Sequence, residues 1–134
     1  MSIEAWADAA RHKYRQNAEH QRAIDTLQFL LEGRIDSDSG ADAIASIYEP
    51  LLKRDASRSG VGTFWAIICN LVRGFGGNKD VAERLVGLLN SISKLPDVRD
   101  EHGMAITPPT WSSAGVYWRG LPVLTMIFRE YAIG

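Results

Sequence analysis

The chain has 134 residues, 46% of them hydrophobic and 23% charged, with a formal net charge of −1. That is the mix of one globular domain, long enough to bury a core. It argues against a nucleic-acid surface or a polybasic membrane surface, each of which needs a positive excess on one face. The densest basic group is Arg11, Lys13, Arg15 and Arg22; it alternates with Asp8, Glu19 and Asp25 and reads as a solvated helix face. The lone cysteine, Cys69, permits no internal disulfide and sits in an apolar run, as a small buried hydrophobe does. This fits a reducing compartment. The N-terminus lacks the apolar core of a signal peptide, and no apolar run approaches ~20 residues, so no membrane span is expected. The expected location is the cytoplasm, with the nucleus left open.

The first predicted helix starts at the Ser2 cap, with Glu4 in its first turn, and can run to Glu32 before stopping at Gly33. Its two ends are amphipathic: Ile3, Trp6 and Ala10 at one end, Ile24, Leu27, Leu30 and Leu31 at the other. Between Arg11 and Gln21 only Tyr14 and Ala18 are aromatic or apolar, so the helix either projects from the body or breaks there in two. A polar loop is expected over Asp36-Ser37-Asp38-Ser39-Gly40. A second helix then follows with Ala43, Ile44, Ile47, Leu51 and Leu52 inward. Pro50 lacks a backbone donor and should kink or end it near Tyr48. Asp55 to Gly62 reads as a loop.

A third helix is predicted from Thr63 to Arg73. Phe64, Ile67, Ile68, Leu71 and Phe75 form its stripe, widened by Trp65, Cys69 and Val72, which marks a central helix. A fourth starts after the Asn78 cap. Val81, Leu85, Leu88, Ile92 and Leu95 alternate at the seam spacing of packed helices, and Pro96 stops it. Asp97 to Gly120 is loop-like, with room for a small hairpin around Ile106 and Val116 and with Trp111, Tyr117 and Trp118 to pin it to the body. A last helix begins at Leu121-Pro122 and is apolar on most sides. Such a helix is either central or covered by a second chain.

Several groups imitate functional motifs. Gly74-Phe-Gly76-Gly77-Asn78-Lys79 opens a helix, but it follows a helix rather than a strand and its glycine spacing fits no nucleotide loop. Asp36-x-Asp38-x-Gly40 lacks the later ligands of a calcium loop. Asp97, Asp100, Glu101 and His102 are interrupted by Arg99 and read as a solvated turn. Asp8 and His12 are spaced as a helical ion pair, with His20 two turns on, and two ligands do not make a metal site. Cys69 lies among Ile67, Ile68 and Val72, where a thiol is a poor nucleophile. The tryptophans Trp6, Trp65, Trp111 and Trp118 are many for this length. With Tyr48, Tyr117 and Arg119 as polar handles they could line a ligand pocket, although core and loop anchoring explains them as well.

Short words of sequence carry a family likeness: Trp65-Ala-Ile-Ile-Cys69, Arg84-Leu-Val86, Leu89, Lys94-Leu-Pro-Asp-Val98 and Asp100-Glu101-x-Gly103. Tyr117-Trp118-x-x-Leu121-Pro122 and Phe128-Arg129-Glu130-Tyr131 continue it, and Leu31-Glu-Gly-Arg-Ile35 and Ser46-Ile-Tyr-Glu-Pro-Leu51 precede it. In order and spacing, from Leu27 onward, the chain resembles a fungal all-helical family known only as a domain of unknown function. The resemblance implies a filamentous-fungal, intracellular protein with relatives that carry more helix beyond Tyr131. It implies no activity, cofactor or catalytic residue.

The expected fold is all-α: a single irregular antiparallel bundle of about five helices with a long loop before the last. The expected function is a non-catalytic protein–protein interaction module, self-associating as a homodimer through its first or last helix, with Ile3, Trp6, Met126 and Tyr131 at the interface. The alternative is a small-molecule-binding protein or enzyme of fungal secondary metabolism, with Tyr48, Trp65, Trp111, Tyr117, Trp118 and Arg119 around an aromatic pocket. No catalytic residue, metal or cofactor is expected.

Overall fold

The computed structural model describes residues 2–55 and 60–106. They form an all-α bundle whose helices are α1 (Ile3–Lys13), α2 (Ala18–Leu31), α3 (Ser37–Arg54), α4 (Val61–Gly74) and α5 (Lys79–Ser93). The expected last helix, from Leu121, and most of the expected long loop, from 107 on, lie outside the described residues.

The predicted first helix is two helices. Tyr14 ends α1, and Asn17 starts α2 by accepting a hydrogen bond from the His20 amide at 2.8 Å. The break puts the polar stretch in a corner. There the Gln21 side chain donates to the carbonyls of Arg11 and Tyr14, both at 2.8 Å, and satisfies the frayed end of α1. At the far end of α2, Gly33 takes φ +75° and the Arg34 amide bonds the Phe29 carbonyl at 2.8 Å. That is the left-handed glycine stop expected there.

Helix α3 differs from expectation at both ends. It starts at Ser37, so the polar stretch after the Asp36 cap is its first turn rather than a loop; the Asp36 carboxylate accepts from the Ser39 amide at 2.7 Å. Gly40 permits this, because a Cβ there would stand 3.1 Å from Leu88 Cδ1 of α5. Helix α3 also continues through Pro50 to Arg54. Pro50 lies on the exposed side, so the Ser46 carbonyl that loses its usual partner is near water, while Ile47, Tyr48 and Leu52 stay buried on the other side. Burial of that stripe outweighs the proline penalty.

Helices α3 and α5 pack closely, α2 lies against both, and α1 packs on α2. The predicted seam of α5 is fully buried at Leu85, Leu88 and Ile92. Helix α4 is as central as its sequence demands: Phe64, Ile67, Ile68 and Leu71 are all buried. One continuous apolar cluster runs through all the helices to Val98. After α5, among the described residues, Arg99 bridges to Ala105 around a turn held by the Asp100 carboxylate. Ile106 bonds back to the Val98 carbonyl at 2.8 Å; Val116 lies outside the described residues.

Candidate functional site

Residues from four helical elements converge on one aromatic ladder. Tyr14 meets His20 edge-on at 5.5 Å between ring centroids, and His20 meets Tyr48 at 5.9 Å. Tyr48 meets Phe64 at 5.2 Å, and Phe64 meets Trp65 at 4.8 Å. The ladder starts half-buried at the α1–α2 corner and ends in the core.

Its polar centre is the pair His20–Tyr48. His20 is 4% exposed, Tyr48 is fully buried, and His20 Nδ1 lies 2.8 Å from Tyr48 Oη. Burial pushes the imidazole below its ordinary value, and the nearby Glu19 offsets part of this. Burial pushes the Tyr48 phenol far above its ordinary range, so it keeps its proton. That hydroxyl needs an acceptor, and Nδ1 is the one at hand. The proton of the neutral imidazole is therefore assigned to Nε2, because the other tautomer leaves a buried O–H with nothing to donate to. Gly60, at φ +82° before α4, makes room for the ring: a Cβ there would stand 3.1 Å from His20 Cε1.

Two hollows flank this ladder. The larger, about 520 Å³, sits in the α1–α2 corner and is lined by Lys13, Tyr14, Arg15, Gln16, Asn17, His20 and Thr63. Lys13 Nζ lies 5.5 Å from the Tyr14 ring centroid, and Arg15 donates to the His12 carbonyl at 3.0 Å. The smaller, about 190 Å³, is an apolar groove between α1 and α4 lined by Trp6, Ala9, Ala10, Tyr14 and Ile67.

Of the residues the sequence singles out for a ligand pocket, Tyr48 and Trp65 are both in the core. Trp65 Nε1 is buried and has no hydrogen-bond partner among the described residues. Trp111, Tyr117, Trp118 and Arg119 lie outside the described residues, as do Met126 and Tyr131 of the expected interface. Ile3 is half-buried against the core and Trp6 is 6% exposed. Asp8 does not pair with His12: it bonds Arg11 at 2.9 Å, and Arg11 reaches on to Asp25 at 2.8 Å and Gln28 at 2.9 Å. Nor does His20 join them, being turned into the core. Cys69 is half-buried and its thiol is pushed up by burial, partly offset by Arg73. Among the described residues no cluster of histidine, cysteine or acidic side chains is placed to hold a metal ion. None of their helices is long and apolar enough to cross a membrane.

Sequence reasoning missed the buried role of His20. The signal was present: His20, Ala23, Ile24, Leu27 and Leu31 share one helical stripe. Comparison with known proteins finds no matching family model, no matching curated protein and no matching solved structure.

Proposed function

We propose that this chain is a non-catalytic helical interaction module that self-associates through the outer face of α1. We also propose, from its sequence words, that it is a cytoplasmic member of the fungal helical family they resemble. The observation that supports self-association is the apolar groove between α1 and α4, floored by the buried Trp6, Ala10 and Ile67 and edged by the exposed Ala9. Its size suits one or two apolar side chains. Ala5 and Ala9 are exposed one turn apart and let a second helix approach closely.

The test is the oligomeric state of the purified chain by light scattering, beside Ala9→Glu. Ala9 is exposed, so the substitution leaves the core intact. A wild-type dimer that Ala9→Glu turns into a monomer supports the proposal. A wild-type chain that stays monomeric at high concentration overturns it.

A further inference from the structure

We propose that the hollow in the α1–α2 corner is a binding site for a small organic anion, a carboxylate or a phosphate ester. Lys13 and Arg15 hold it at the rim and the Nε2–H of His20 helps hold it in the wall. The inference is independent of self-association.

Three observations converge. The first is charge. Lys13 and Arg15 both border the hollow, and among the described residues no carboxylate lines it. The nearest acid the imidazole feels, Glu19, is half-buried beside the histidine rather than part of the lining. A hollow with cations and no acids selects an anion over a metal or an amine.

The second is the histidine. A nine-tenths-buried imidazole held at Nδ1 by Tyr48 presents a fixed donor at its other nitrogen, and His20 lines the hollow. Among the described residues Nε2 has no hydrogen-bond partner. Tyr14 packs edge-on against the ring and holds its plane. The donor is thus preorganised, unlike an ammonium on a flexible stem.

The third is the start of α4. The first turn of α4 begins at Val61, after Gly60 at φ +82°. That turn carries Thr63 into the wall of the hollow. Its hydroxyl, and the positive end of the α4 dipole, favour an anionic oxygen there. The volume, about 520 Å³, is in the range of small-molecule sites and larger than an inorganic anion needs. The ligand therefore has an organic body, and Tyr14 offers it an aromatic face.

The experiment is a nuclear magnetic resonance titration of the intact labelled chain with inorganic phosphate and, separately, sodium acetate, each against sodium chloride at equal ionic strength. The signals followed are the Thr63 amide and the His20 imidazole nitrogens. Saturable shifts of both, with phosphate or with acetate, are expected; which probe saturates at the lower concentration names the acidic group. Arg15→Gln removes an exposed guanidinium and should weaken the affinity about tenfold. Lys13→Gln should weaken it as well. Shifts that chloride reproduces, or an affinity that neither substitution changes, overturn the proposal.

Discussion

Tyr48→Phe removes one oxygen atom from the centre of the aromatic ladder. The ring keeps its place beside Phe64 at 5.2 Å, so the packing loss is small. What changes is His20, whose Nδ1 loses its partner at 2.8 Å while remaining in a side chain that is 4% exposed. Leaving a buried polar group without its hydrogen bond costs about 1–3 kcal/mol. Taking about 2 kcal/mol, a domain of this length should melt about 6–10 °C lower. The urea midpoint should fall by about 1 M, with the slope unchanged. A double-mutant cycle sharpens the test. His20→Leu alone strands the Tyr48 hydroxyl and should cost a similar amount, whereas the double variant strands nothing and should lie well above the sum. The coupling is expected at about 1–2 kcal/mol. A loss under about 0.5 kcal/mol for Tyr48→Phe, or additive single losses, would refute the assignment of the pair as a satisfied buried hydrogen bond.

Other outcomes follow from particular contacts. Burial holds the His20 imidazole below its ordinary value of 6.5, so below that pH the unfolded chain takes up a proton that the folded chain resists. Stability should then fall with falling pH, by up to ~1.4 kcal/mol per unit, and urea midpoints at about pH 7.5 and 5.5 should show a loss that is absent from His20→Leu. Glu49, whose pKa is raised from 4.5 by burial, acts in the opposite sense as pH falls through its raised value, and the His20→Leu comparison cancels that contribution. Gly60→Ala places a side chain at φ +82° and against His20, and thermal melts should show a loss of about 1–2 kcal/mol. At Gly87 a Cβ would meet Ser37 Oγ at 2.6 Å, so Gly87→Ala should add its helix propensity, about 1 kcal/mol, only when Ser37→Ala has cleared the space. Pro50→Ala should raise the urea midpoint by restoring a helix bond: about 3 kcal/mol of helix cost is relieved, less about 1 kcal/mol for the freer unfolded chain.

Where one pattern governed a segment, the sequence was sufficient. The alternating seam of α5 put Leu85, Leu88 and Ile92 in the core, and the wide stripe of α4 marked a central helix. The caps at Ser2 and Asn78 both accept the hydrogen bonds their residue types predict. Expectation and structure diverge where local and tertiary preferences oppose each other. Pro50 is a breaker by its own chemistry, yet it faces outward from a helix whose other side buries Tyr48 and Leu52. Gly40 looks like a turn residue and is a point of close approach to Leu88. The geometry of the candidate site was less legible still. Nothing near Arg15 in sequence announces Thr63, and only packing brings the start of α4 to the α1–α2 corner. Polar residues have no periodicity of their own, so a polar hollow between elements leaves no trace in a pattern of apolar positions.

The two proposed surfaces meet in two residues. Lys13 and Tyr14 line both the polar hollow and the apolar groove, at the point where α1 ends. Lys13 has one charge to give. Turned to an anion in the hollow, it is withdrawn from the rim of the groove where a partner docks; held there by the partner, it is withdrawn from the anion. The two events are then negatively coupled, and linkage makes the coupling equal in both directions. Phosphate or acetate at saturating concentration should weaken the dimer by the same factor that dimerisation weakens anion affinity. One exposed charged contact sets the scale, about 0.2–1 kcal/mol, or roughly 1.4- to 5-fold. Sedimentation of the dimer with and without the anion at constant ionic strength measures one side of this equality, and titration of the Ala9→Glu monomer against the wild type measures the other. A coupling in one direction only would mean that Lys13 does not serve both surfaces.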